Sequence, residues 1–149
     1  MSMDQSFITL IENHDAGGVL RELTKGVVSP NKSFQGVYPL ARAIELGDTD
    51  IAVLLLEFKG DATLKPSGPN AVSAIELSKR MTADDECEYQ MEASVICDMI
   101  NDPAKRKMRY ESALKRIRKK DARDRAVARQ SVAIAVMVCA LVFIYFYFH

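Results

Sequence analysis

The chain has 149 residues, 48% of them hydrophobic and 27% charged, which fits one ordinary folded domain and excludes a disordered or collagen-like chain. Its formal net charge of zero hides a segregation: residues 1–103 carry 8 Lys/Arg against 17 Asp/Glu, and residues 104–149 carry 12 against 3. The three cysteines, Cys87, Cys97 and Cys139, give neither a disulfide framework nor a metal-ligand spacing, which points to a reducing compartment.

At the N-terminus no apolar run follows a basic start, and Asp4, Glu12 and Asp15 precede the first arginine, Arg21. Neither a secretory signal nor an Arg-rich transit peptide is expected. The first hundred residues show no sustained alternation of period two, and apolar spacing predicts helices at about 5–13, 16–25, 39–46, 49–58, 71–80 and 84–101. Turn chemistry separates them at Gly17-Gly18, at Gly26 to Asn31 with Pro30, at Gly47-Asp48, and at Gly60 to Asn70 with Pro66, Gly68 and Pro69. The sixth helix is expected to start with Thr82 as its cap, because Asp84, Asp85 and Glu86 would then lie at the positive end of the helix dipole.

The pieces repeat. Asn13-His14-Asp15 is matched by Leu46-Gly47-Asp48, and Leu23-Thr24-Lys25 by Leu56-Glu57-Phe58, at a period of about 33 residues. Ala43-Ile44-Glu45-Leu46 recurs at a similar distance as Ala74-Ile75-Glu76-Leu77. Leu40, Ala43 and Ile44 face Ile51, Leu54 and Leu55 on one side only, so no pair of helices buries its apolar face alone and stacking is required.

In the middle unit, Gly36-Val37-Tyr38-Pro39-Leu40-Ala41-Arg42-Ala43-Ile44-Glu45-Leu46-Gly47-Asp48 precedes Ile51-Ala52-Val53-Leu54-Leu55-Leu56-Glu57 and Gly60-Asp61. This resembles the ankyrin repeat, with its G-x-T-P-L-H-x-A segment, glycine turn and I-V-x-L-L-L-x-x-G-A-D segment. Tyr38 stands where the family has threonine and Ala41 where it has histidine, so polar ties between repeats are lost. The resemblance covers about residues 5–101 in three degenerate units. It implies a protein-binding face formed by the turn tips and the exposed side of each unit's first helix: Phe34, Gln35, Arg42, Glu45 and Leu46, with Ser73 and Glu76 beside them.

After Asn101-Asp102-Pro103, residues 104–130 contain no further Pro or Gly and read as a basic helix running into the uncharged stretch Ser131 to Phe148. Tyr110, Ala113, Leu114 and Ile117 form a short apolar stripe, read as a contact with the third unit, with a docking face for another helix as the alternative. The uncharged stretch spans roughly 27 Å as a helix, near the 30 Å or so of a hydrocarbon core, and predicts a single transmembrane helix; a buried core helix is the alternative. Arg116, Arg118, Lys119, Lys120, Arg123, Arg125 and Arg129 are then expected to meet anionic lipid headgroups at the membrane surface, in preference to a partner's acidic face or nucleic acid. Tyr145, Phe146, Tyr147 and Phe148 would form an aromatic belt, and Ser131, Ala135 and Cys139 a small-residue stripe for transmembrane packing.

The expected architecture is therefore all-α: an ankyrin-like repeat domain over 1–103, a basic juxtamembrane helix over 104–130 and a transmembrane helix over 131–148. The expected placement is that of a tail-anchored, single-pass chain on an intracellular membrane, endoplasmic reticulum or mitochondrion, with its repeats on the cytosolic or matrix side. The two histidines, His14 and His149, sit in a turn and at the terminus, and no phosphate loop, nucleophile elbow or metal-ligand motif is present. No enzyme activity, metal or cofactor is expected. The expected function is a membrane-anchored adaptor that binds other proteins; the alternative is a constitutive accessory subunit of a large membrane complex, such as a mitochondrial respiratory or ATP synthase assembly.

Overall fold

A computed structural model describes residues 3–34, 36–66 and 71–148, without the side chains of residues 3–6 and 141–148. Two aspartates fix the starts of the early helices. Asp15 accepts a hydrogen bond from the Gly18 N–H at 2.9 Å and Asp48 from the Ile51 N–H at 2.9 Å. Each satisfies a backbone donor that the first turn leaves open. They separate α1 (Met3–Glu12) from α2 (Ala16–Lys25) and α3 (Pro39–Glu45) from α4 (Thr49–Glu57).

The repeat is written in the backbone as well as in the sequence. His14 and Gly47, each just before a capping aspartate, have φ of 53° and 63°, while Gly26 and Lys59, each after a second helix, have φ of 69° and 67°. Both pairs are set apart by the same period as the sequence repeat. At Gly47 two constraints meet, because a Cβ there would also stand 2.5 Å from Tyr89 Cδ1.

The third pair is α5 (Ala74–Ala83) and α6 (Gln90–Asn101), and α7 (Pro103–Phe148) follows. Within the pairs α1 packs on α2, α3 on α4 and α5 on α6; between pairs α1, α3 and α5 lie side by side, as do α2, α4 and α6. The result is two layers of helices, with each pair touching only its neighbours. Because α4 is in the middle of its layer, every residue from Ile51 to Leu56 is buried. Phe7, Ile11, Val19, Leu40, Ile44, Ile96 and Met99 complete the core around it, each contributing about 1.5–3 kcal/mol by leaving water.

Hydrogen bonds stitch the long connections across pairs. Asn31 Nδ2 donates to the Lys59 carbonyl at 2.9 Å, Asn31 Oδ1 accepts from the Asp61 N–H at 2.7 Å, and the Ile75 N–H donates to the Ala62 carbonyl at 3.0 Å. Among the described residues the nearest thing to a strand is an isolated antiparallel bridge between Phe34 and Val37.

Two helix starts differ from expectation. The sixth helix begins at Gln90 rather than near residue 84, because α5 continues to Ala83 and Thr82 lies inside it, its hydroxyl donating back to the Ser78 carbonyl at 2.8 Å. Asp84 instead accepts the Glu86 N–H at 3.1 Å, which shapes 84–89 into a turn. The fifth helix begins at Ala74 rather than 71, because Ser73 and Glu76 form a capping box.

The chain divides into two units, Met1–Leu114 and Lys115–His149. In the first, Asp102 caps α7 by accepting the Ala104 and Lys105 N–H groups at 2.9 and 3.2 Å, with Pro103 at the first helical position. Arg106 Nε donates to Glu57 Oε1 at 3.0 Å, fastening the start of α7 to the end of α4. The second unit is the remainder of α7, and its described side chains from Arg118 to Ala140 are exposed apart from half-buried Asp121.

The expected transmembrane helix is not upheld, and the tail-anchored, single-pass placement on an intracellular membrane falls with it. Among the described residues no helix is long and apolar enough to cross a membrane. The described side chains of the uncharged run are Ser131 to Ala140. Eight cations lie just before them between Lys115 and Arg129. The side chains of 141–148, including the expected aromatic belt of Tyr145 to Phe148, lie outside the described residues, as does His149.

Candidate functional site

The candidate surface is built on α3. Pro39 opens this helix without needing a hydrogen-bond partner for a backbone N–H, and Leu40, Ala41, Ala43 and Ile44 turn inward. Arg42 and Glu45 are left facing outward. Arg42 is shared between two carboxylates: Nη1 donates to Glu45 Oε2 at 3.0 Å and Nη2 to Glu12 Oε1 at 3.0 Å. Its pKa is raised above the usual arginine value, chiefly by the Glu45 hydrogen bond, against a desolvation that lowers it. Since Glu12 ends α1, the same guanidinium links the first pair of helices to the second. Leu46, which follows the helix, is half-buried.

On α5, Glu76 is also outward but engaged. Its Oε2 accepts the Ser73 N–H at 3.1 Å, and Oε1 accepts from Lys65 Nζ at 2.8 Å. The Lys65 hydrogen bond first, then the one from the Ser73 backbone, lower its pKa to about 2.

The residues implied by the resemblance divide into an exposed group and an interior group. Arg42, Glu45 and Glu76 are accessible on adjacent first helices. Phe34 is only 6% exposed, its ring tilted against Phe7 with centroids 5.9 Å apart, and its N–H and carbonyl both bond Val37. It anchors its loop in the core. Ser73 is 2% exposed and spends its hydroxyl capping α5 by accepting the Glu76 N–H. Gln35 lies outside the described residues.

On α7, Arg116, Arg118, Lys119, Lys120, Arg123, Arg125 and Arg129 are all exposed. The membrane-surface role expected of them rested on the adjoining span and is withdrawn with it. The same holds for the transmembrane packing stripe of Ser131, Ala135 and Cys139, all of them exposed, with the Ser131 hydroxyl donating to its own helix at the Val127 carbonyl, 3.0 Å away. Of the stripe expected earlier in that helix, Ala113 and Ile117 are buried and Tyr110 and Leu114 half-buried.

Two features escaped the sequence reading. The three short turns lie in a row: His14 Nδ1 and Asp48 Oδ2 are 2.9 Å apart, and Gly47 abuts the ring of Tyr89. The equivalent places of Asp15 and Asp48 in the repeat were the available signal for the first of these contacts. The second feature is an open cavity of about 230 Å³ between α6 and the start of α7, lined by Val95, Asp98, Met99, Lys105, Met108 and Arg109. Its apolar lining is chiefly thioether, a soft surface that adapts to what it meets, and Lys105 is held at its rim by Asp98 at 2.8 Å.

Among the described residues no group of three or more His, Cys, Asp or Glu is placed to hold a metal ion. Cys87 and Cys97 are free and half-buried, and Cys139 is free and exposed. No family model, curated protein or solved structure matches this chain.

Proposed function

We propose that this chain is a non-enzymatic protein-interaction module whose three pairs of helices act as degenerate ankyrin-like repeats. The observation that carries the reading is the layering: α1, α3 and α5 lie side by side and present Arg42, Glu45 and Glu76 on a common outer layer. Recurrence of left-handed backbone at equivalent places in the first two pairs supports the repeat assignment independently of side-chain identity. A rigid array of charged and polar groups on stacked helices fits recognition by complementary contacts, because its side chains are held before a partner arrives. The test is a photoreactive residue installed at Glu45, with one at Met91 on α6 as control. A discrete adduct with a different protein from position 45, lost when Arg42 becomes Glu, supports the reading. Equal labelling from both positions removes it.

A second reading, a permanent subunit of a larger assembly, is favoured by one observation. Val132, Ile134, Val136, Met137 and Val138 are each between 53% and 64% exposed, and a contiguous apolar surface of this kind is characteristic of an interaction site.

A further inference from the structure

The uncovered half of α7 carries eight cations between Lys115 and Arg129 that the protein-binding face on α3 and α5 does not explain. Lys115, Arg118, Arg125 and Arg129 stand at positions i, i+3, i+10 and i+14 of a helix, so they share one face, with small Ala122 in its middle. All four cations are exposed, and none is in an ion pair among the described residues. Asp124 lies off this face, and Asp121 borders it between Arg118 and Arg125.

The opposite charge is collected by the stack. Because the short turns of successive pairs occupy equivalent places, segments 12–15, 45–50 and 83–89 line one edge, and together they contain nine carboxylates and no Lys or Arg. Among the described ion pairs the arginines that reach this edge are Arg21, at Asp15, and Arg42, at Glu12 and Glu45. The third turn has none: Asp84, Asp85, Glu86 and Glu88 are exposed and in no ion pair among the described residues. The lengths agree as well. Three turns separated by two helix-packing distances of about 8–10 Å span about 16–20 Å, and the Lys115 to Arg129 stripe spans about 21 Å at the helical rise.

We propose that the Lys115–Arg129 face of α7 docks along the short-turn edge of a second copy of this chain, so that the net +9 of residues 104–149 meets the net −9 of residues 1–103 of another molecule. The contact is head-to-tail, since the two surfaces differ, and a pair leaves the acidic edge of one copy and the basic face of the other free. It shares Glu45 with the face on α3 and α5, so the substitutions that test it are confined to the third turn and α7.

The experiment is sedimentation velocity of the full chain over a range of concentrations. It compares wild type with an acid-neutralised variant (Asp85→Asn, Glu86→Gln, Glu88→Gln) and a base-neutralised variant (Arg118→Gln, Arg125→Gln, Arg129→Gln), with helix content checked by circular dichroism. Wild type is expected to self-associate, about tenfold more weakly at 0.5 M than at 0.05 M salt, because exposed charges are screened within a few ångströms at the higher value. Each variant alone is expected to remain monomeric. An equimolar mixture restores a complex that stops at one copy of each, since one variant supplies the acidic edge and the other the basic face. A wild type that stays monomeric overturns the proposal. So does association that ignores both salt and substitutions, which would belong to the apolar side chains from Val132 to Val138.

Discussion

Two stretches of this chain are almost purely apolar and end in opposite environments. Ile51 to Leu56 on α4 is buried at every position, whereas Ser131 to Ala140 on α7 is exposed at every position. Hydropathy alone does not separate them. The difference lies in neighbours: α4 has α3 across from it and α2 and α6 beside it, while the second half of α7 belongs to a unit that contains no other helix. A helix apolar on all sides is thus satisfied by a central place in a stack, and without such a place its surface is left open to a partner.

The sharpest way to break the comparison is to truncate one side chain on each stretch. Leu54→Ala removes a fully buried side chain and is expected to cost about 2–5 kcal/mol. Ile134→Ala removes one that is 54% exposed and is expected to stay within about 0.5 kcal/mol. Urea unfolding of the two variants measures both, and equal losses would mean that α4 and the α7 stretch are buried alike.

The next effect concerns the turn that delivers the chain into α4. Gly47→Ala combines a left-handed backbone, at about 1–2 kcal/mol, with the overlap against Tyr89. Gly26→Ala has the same backbone cost but nothing within 4 Å of the added carbon. The Gly47 variant is therefore expected to lower the urea midpoint by clearly more than the Gly26 variant. Parity between them would remove the contact of the middle turn with Tyr89.

A smaller loss is expected at the edge of the stack. Ser73→Ala deletes one arm of the α5 capping box and should cost about 1 kcal/mol, with no counterpart on the exposed stretch, where Ser131→Ala should be close to neutral.

The smallest effect is read by pH. Glu76 is held at a pKa of about 2 in the folded chain against an ordinary 4.5, principally by Lys65. A depressed folded pKa means that its stabilisation is complete above the unfolded value and disappears as pH falls from about 4.5 through about 2. Replacing Lys65 with Met should flatten that part of the profile of unfolding midpoint against pH. An unchanged profile would show that the pair does not persist in solution, as exposed pairs often do not.

Much of the fold was legible because it follows from local rules. The Gly47-Asp48 turn, the Pro39 start and the inward set Leu40, Ala43 and Ile44 were all visible as spacing, and the structure uses each as expected. The Ser73-x-x-Glu76 box was equally present but unread, and it moved the fifth helix by three residues. The sixth helix was misplaced because an acidic run looked like a first turn. Thr82 lies inside α5 instead, where its hydroxyl bonds the Ser78 carbonyl and caps nothing. Phe34 and Ser73 fall on a surface only by the ankyrin resemblance, whereas packing against Phe7 and the cap on α5 put them inside.

What the sequence determined by itself was the period, the helices and the opposite charge of the two ends, because propensity, capping and residue counts act along the chain. What tertiary structure alone decided was which apolar run is covered. The three short turns were aligned by it into one acidic edge, and Arg42 was placed between Glu12 and Glu45. Those outcomes depend on which helices come to lie side by side, and residues far apart along the chain carry no mark of it in their local sequence.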